Sequence, residues 1–217
     1  MAARNPDRRC IFDFLSVSSI CMSAVRTDLQ IDLPVIADGA ALWRIARDSK
    51  VLDLNSSYSY LLWCRDFAAT SAVARDADGR PVGFVTGYVR PDRPGTLLIW
   101  QVAVDADHQG RGLAAALLDG LARRVGAEQG LTSLETTITP GNTASERLFT
   151  SFAERHGATV EREVLFDAGL FPSEPEEGQE EPRNEHGLPD LHEPEVLYRI
   201  GPLSWPSELP EFPDFAG

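Results

Sequence analysis

The chain of 217 residues is poor in the features that would place it outside ordinary soluble enzymes. It has three cysteines (Cys10, Cys21, Cys64), with no Cys-x-x-Cys spacing. An odd count without paired spacing argues against a disulfide framework and fits a reduced, cytoplasmic setting. No apolar run approaches the roughly 18 residues that a membrane span requires. Positive charge is scarce: 20 Lys and Arg face 33 Asp and Glu, a net charge of −13. That balance excludes a basic nucleic-acid footprint and disfavours anionic membrane surfaces. An anionic ligand must then be held by local groups, against the overall field. No Gly-Lys-Ser/Thr follows the one glycine-rich turn, so a P-loop is excluded. No internal repeat occurs. His186 and His192 lie among carboxylates but lack a tight ligand spacing, so no metal is expected.

What is present reads as one mixed α/β domain, with 43% hydrophobic residues. Arg4, Arg8 and Arg9 before "CIFDFLSVSSICMSAV" loosely imitate a secretory leader. Asp13 interrupts the apolar stretch and the cleavage site is poor, so residues 1–26 are expected to form a disordered tail, with Met22 a candidate start. Residues 27–202 carry the domain. "LQIDLPVI" predicts a strand, and "DGAALWRIARDSK" a helix with Asp38 as N-cap. A polar loop, "VLDLNSS", leads into a second helix. "TSAVARDADGRPVGFVTGYVR" predicts a hairpin around Asp-Gly, and "TLLIWQVAVD" a central strand. Helices follow from Gly110 and from Asn142, with the strand "LTSLETTIT" between them. "TVEREVLFDAGLF" and "EVLYRIG" supply the last strands. The Pro- and Glu-rich stretch 172–194 between them is expected to be a mobile loop, and 203–217 an irregular tail. His108 and His156 read as surface residues.

The turn "HQGRGLAAALL" (108–118) sits between the central strand and a helix. A helix N-terminus offers unpaired N–H groups and a positive dipole end, which suit a phosphate. Glycines let it approach, and Arg111 adds a charge. The alternative is a tight strand–helix turn where small residues merely permit packing. A dinucleotide fingerprint fits poorly, since the spacing is Gly-x-Gly-x-Ala without a clear βαβ unit.

"QVAVDADHQGRGLAAALL" resembles the acetyl-CoA motif of the GNAT acetyltransferase superfamily, Gln/Arg-x-x-Gly-x-Gly/Ala after a central strand. The matching residues are Gln109, Gly110, Arg111, Gly112, Leu113 and Ala114. The family's Asn, opening the helix after the next strand, is matched by Asn142. The resemblance implies the acyl-CoA N-acyltransferase fold (α/β, α+β type), a mixed, mostly antiparallel central sheet with flanking helices. It implies that the N–H groups of residues 109–114 bind the CoA pyrophosphate. The strand Val102–Val104 would pair with the pantetheine arm, with one N–H, at Val102, polarising the thioester carbonyl. Many members carry a Tyr in the helix after the Asn that protonates the leaving thiolate. Phe149 stands there and cannot donate, so the general acid stays open. Over roughly residues 35–202, "LDLNSSYSYLLWC", "WQVAVD", "LETTITPGNTAS" and "LYRIGPL" resemble the L-2,4-diaminobutyrate acetyltransferases of ectoine synthesis. That resemblance implies acetyl-CoA and L-2,4-diaminobutyrate as substrates, acetylation of the 4-amino group, and a homodimer. Alternatives are an acetyltransferase for another small diamine or amino acid, or a non-catalytic acyl-CoA sensor.

The acceptor carries two ammonium groups and one carboxylate, so its site needs acids and a donor. Asp53, in the loop entering the second helix, is a candidate for substrate binding and catalysis; its other role is helix N-cap, shared with Asn55 and Ser56. Tyr58 and Trp100 are candidates for the pocket wall or ordinary core aromatics. Glu135, mid-strand, is costly to bury alone, which makes it a candidate for the amine or for a structural pair. Resemblance places His192 and Glu195 beside the substrate, and Glu195, Asp53 or Glu135 could accept the amine's proton. No cysteine lies in a matched segment, which favours direct attack over an acetyl-enzyme.

Overall fold

The computed structural model describes residues 29–171 and 193–205. The expected N-terminal tail, most of the Pro- and Glu-rich stretch, and the last residues lie outside the described residues. Among the described residues seven strands form one sheet: β1 (Gln30–Asp32), β2 (Ala72–Arg75), β3 (Pro81–Arg90), β4 (Arg93–Val104), β5 (Ser133–Ile138), β6 (Thr159–Phe166) and β7 (Glu195–Gly201). The order is β1-β2-β3-β4-β5-β7-β6, so the last strand inserts between β5 and β6. Only the β4–β5 pair is parallel. The mixed, mostly antiparallel sheet expected from the family resemblance is the one observed.

Four α-helices of the described residues flank it: α1 (Gly39–Ser49), α2 (Ser57–Asp66), α3 (Leu113–Gln129) and α4 (Thr143–Arg155). Leu42, Ile45 and Ala46 fall on one side of α1, and Tyr60 and Cys64 on one side of α2. With Val73, Phe84 and Ala103 they form one core layer. The other face carries the larger layer. There Leu113, Leu117, Leu121 and Val125 of α3, with Phe149 and Phe152 of α4, cover Leu97, Ile99, Leu134 and Ile200. The α3 helix ends at Gly130, whose φ of 70° is the left-handed cap that glycine supplies at low cost.

Two local expectations change. Asp38 precedes α1, but its carboxylate does not cap that helix. It accepts from the Val35 N–H at 2.8 Å and from both Arg75 guanidinium nitrogens at 2.8 Å, tying the helix entry to β2. Burial opposes its ionisation, yet the Arg75 hydrogen bond prevails and its pKa lies below the ordinary value. His156 is no surface residue: its ring bonds Asp119 at 2.9 Å and packs between Phe152 and Trp205. Trp205 itself pins the chain after β7. Its indole donates to the Leu131 carbonyl at 2.8 Å and lies against Gly126, where a Cβ would have no room.

Candidate active site

β4 and β5 run together only from Thr96–Ser133 to Ile99–Thr136. The Thr136 hydroxyl closes that end by donating to the Ile99 carbonyl at 3.2 Å. The next β4 residue is a bulge: Thr86 opposes Gln101 and Gly87 opposes Ile99, which leaves Trp100 without a partner on β3. Gly87 belongs to this arrangement, since a Cβ there would stand 2.5 Å from the Leu98 carbonyl oxygen. Beyond the bulge β4 follows β3 and parts from β5. A cleft of about 720 Å³ opens in the fork.

Trp100 and Val102 of β4, Thr136–Thr139 of β5 and its turn, and Asn142, Ser145 and Phe149 of α4 line it. Asp53 and Asn55 reach it from the α1–α2 loop, and Glu193 and Glu195 from the start of β7. Three carboxylates therefore line the cleft, and no lysine or arginine is among the described residues that line it. Among the described residues no group of three or more metal-ligating side chains comes together.

The β4 edge facing the fork has an assignable polarity. The Gln109 side-chain amide donates to the Val104 carbonyl at 3.0 Å, so Val104 turns its polar groups away from β3. By the two-residue repeat of a strand, Val102 presents its N–H to that same open edge.

Past Val104 a short 3₁₀ turn (Ala106–His108) leads to the glycine-rich segment. Gly110 and Gly112 have φ of 74° and 76°, and nothing lies within 4 Å of where their Cβ atoms would stand. The glycines are thus required by backbone conformation, and the space beside them is open. The first α3 amide with a backbone acceptor among the described residues is that of Ala116, on the Gly112 carbonyl. The amides of residues 110–115 form a cluster of donors at the positive end of a 17-residue helix.

The sequence candidates divide cleanly. Asp53, Trp100, Val102, Asn142, Phe149 and Glu195 line the cleft. Val104 and residues 109–114 form the turn at the end of β4. Asn142 caps α4 through its side-chain oxygen, which accepts from the Ser145 N–H at 3.1 Å. Asp53 does not cap α2; Ser56 holds that position. Tyr58 is 63% exposed and is not among the lining residues. Glu135 is fully buried and takes the structural one of its two expected roles. It accepts from Arg90 at 2.9 Å and from Arg93 and Arg199 at 3.0 Å each. Burial raises its pKa, but the hydrogen bonds from Arg90 and Arg199 outweigh this, and the carboxyl stays below the ordinary range. His192 lies outside the described residues. Sequence reading passed over Asn55, Thr136, Thr137, Ser145, Glu193 and Gln101. Gln101 alone had a signal, as the one amide within the apolar run "LLIWQVAV".

Comparison with known proteins follows the same lines. The profile of the acetyltransferase (GNAT) family matches residues 40–153. The chain is 70% identical over 183 residues to an L-2,4-diaminobutyric acid acetyltransferase of Streptomyces coelicolor, covering 84% of this chain and 98% of that protein. It is 40% identical over 173 residues to one of Marinococcus halophilus, covering 80% and 90%. Its structure resembles that of a diaminobutyrate acetyltransferase from Paenibacillus lautus in complex with L-2,4-diaminobutyric acid and coenzyme A. That match has 35% identity and a TM-score of 0.69 over 81% of this chain and 96% of that one.

Proposed function

The chain belongs to the acetyltransferase (GNAT) family, among the L-2,4-diaminobutyric acid acetyltransferases, and we propose from that membership how its cleft works. It moves acetyl from acetyl-CoA to the 4-amino group of L-2,4-diaminobutyrate, giving the N4-acetyl product of ectoine biosynthesis. The observation that carries the reading is the cleft itself: three acids, Asp53, Glu193 and Glu195, line it beside the open edge of β4, as a dicationic acceptor requires.

An alkyl ammonium with a pKa near 10 must lose a proton before it attacks. Glu195 or Asp53 accepts it, directly or through water. The amine nitrogen then bonds the thioester carbonyl carbon, and negative charge develops on the carbonyl oxygen. The Val102 N–H, on the open edge of β4, is the donor for that charge. The C–S bond breaks, the nitrogen releases its remaining ammonium proton to solvent, and CoA leaves as thiolate. Phe149 lines the cleft and holds no proton to give it. The amide cluster at residues 110–115 receives the CoA pyrophosphate, with Arg111 adjacent. Cys64 supports direct transfer rather than an acetyl-enzyme. It is buried and away from the cleft-lining residues, and burial pushes its thiol up to about 11.

A second copy of the chain is the partner proposed for the exposed apolar surface. Trp63, Phe67, Tyr88 and Trp100 form a chain of ring contacts at 4.8–6.5 Å, with Trp100 half exposed. The sheet-edge strand β6 adds exposed Val164, Leu165 and Phe166. A dimeric mass by light scattering supports this, and a monomer at micromolar concentration overturns it. The buried, unpaired thiol of Cys64 is compatible with a cytoplasmic enzyme.

The function is tested by CoA release over a panel of diamines and amino acids with diaminobutyrate included. Diaminobutyrate is expected to give the highest kcat/KM, with acetyl on N4 by NMR. A tenfold better acceptor would reassign the substrate, and no turnover with any amine would favour an acyl-CoA sensor.

A further inference from the structure

The loop between α1 and α2 carries Asp53 to the cleft without regular secondary structure of its own. Its flanking residues give it little hold: Val51 is 65% exposed and Leu54 47%, and Leu52 alone of its apolar residues packs against a core layer. A loop of that kind does not by itself fix a carboxylate to the fraction of an ångström that a charged acceptor site needs.

Gln101 supplies a fixed point. It is buried in β4 between Trp100 and Val102, both of which line the cleft. Its side-chain nitrogen donates to the backbone carbonyl of Asp53 at 2.9 Å. Its side-chain oxygen accepts from the Tyr60 hydroxyl at 3.0 Å. The amide orientation is determined by these partners, because a backbone carbonyl can only accept and so must face the nitrogen. Tyr60 is itself immobile: it is fully buried on α2, and its ring meets Phe84 of β3 edge-on at 6.2 Å. The loop backbone at Asp53 is thereby tied to a buried, packed pair of side chains.

We infer that Gln101, oriented by Tyr60, is a positioning residue that sets the distance between the Asp53 carboxylate and the open edge of β4, and so tunes recognition of the cationic acceptor. Strand and loop are two walls of the cleft, one presenting the Val102 N–H and the other the acid. The amide of Gln101 makes them one rigid unit. A polar side chain inside the apolar run of β4 thus has a reason that core packing does not supply. The inference rests on the reading of Asp53 as an acceptor-site acid.

Gln101→Met keeps length and apolar bulk and removes both hydrogen bonds. It is expected to raise the KM for diaminobutyrate on the order of tenfold, the size of one or two lost buried hydrogen bonds. The KM for acetyl-CoA should stay within twofold. Because the amide acts through Asp53, the two substitutions should not be additive: in an Asp53→Asn background Gln101→Met should cost less than about threefold. Tyr60→Phe removes only the orienting donor and keeps the ring. It should shift the diaminobutyrate KM in the same direction by about threefold, and it carries the test if Gln101→Met does not fold. If Asp53→Asn alone leaves the diaminobutyrate kinetics intact, the reading of Asp53 fails. If Asp53→Asn is costly but Gln101→Met or Tyr60→Phe is silent, equally costly in both backgrounds, or equally costly for acetyl-CoA, the positioning inference fails.

Discussion

β5 sends Glu135 and Thr137 to the same face of the sheet, two residues apart, and they end in opposite surroundings. Opposite Glu135 the fork is still closed: Leu98 of β4 pairs with it on one side and Arg199 of β7 on the other. Three guanidiniums converge there, two from the turn of the β3–β4 hairpin, and the carboxylate is fully buried. At Thr137 the fork has opened, and the same strand borders a cleft lined by Asp53, Glu193 and Glu195. Both ends of the fork hold acid, so acid alone does not identify a site. The distinguishing feature is whether the acid is sealed within the sheet or lines an opening. At the closed end three arginines enclose the buried Glu135, and the acid is structural; at the open end the acids border a cavity wide enough for a small ligand.

The largest effect should come from the closed end. Glu135→Gln removes the shared acceptor of three arginines and should lower unfolding stability by about 3 kcal/mol. Their partial exposure keeps the cost near the low end for such clusters. Denaturant unfolding measures it, and kcat/KM of the folded fraction should stay within twofold. A large specific loss of diaminobutyrate turnover at unchanged stability would break the contrast. The same variant also predicts a pH dependence. The folded carboxyl has a lowered pKa, so its stabilisation is complete above the ordinary glutamate value of 4.5 and is lost as pH falls through the folded value. The stability gap between wild type and Glu135→Gln should therefore be constant above about pH 6 and close on acidification below pH 4.5.

At the open end the cost should fall on chemistry instead. Asp53→Asn should lower kcat/KM for diaminobutyrate about thirtyfold, the worth of one charge-assisted contact of about 2 kcal/mol, and leave the KM for acetyl-CoA unchanged. Glu195→Gln should do the same. If Glu195 is also the base, kcat in that variant recovers between pH 7 and 10 as the free amine deprotonates. Equal losses for both substrates would remove these carboxylates from the amine site.

A smaller effect separates the acceptor end from the CoA turn. Gly112→Ala forces a side chain into a left-handed conformation and should cost about 1 kcal/mol of stability. It should raise the KM for acetyl-CoA severalfold with little change for diaminobutyrate. Equal binding of acetyl-CoA by titration would reduce the turn to a packing role. Smallest of all, Cys64 in the native protein should resist iodoacetamide at pH 8. With its thiol near 11, only about one molecule in a thousand is thiolate at that pH, and burial blocks access. Labelling of the Cys64 peptide, read by mass spectrometry, should begin only on unfolding.

Features written within a few residues were legible in the sequence. The period of the apolar residues in α3, the Asp-Gly hairpin and the helix start at Asn142 each follow from local sterics or local hydrogen bonding. The family motif is local in the same sense, which is why the glycine-rich turn stood out before the fold was known. The choice between alternatives was not legible where it depended on a distant partner. Asp38 looked like a cap until Arg75, 37 residues away, took its carboxylate. Glu135 stood equally for amine or structure, and its three arginines come from 42, 45 and 64 residues away. The amide of Gln101 meets its partners at separations of 41 and 48 residues. The sequence by itself determined which segments are strand, helix and glycine-rich turn, because those follow from steric and hydrogen-bonding rules that act within a few residues. Only the tertiary structure decided where β4 leaves β5, which acid is enclosed by arginines and which acids border the opening, because those contacts join residues that the chain keeps far apart.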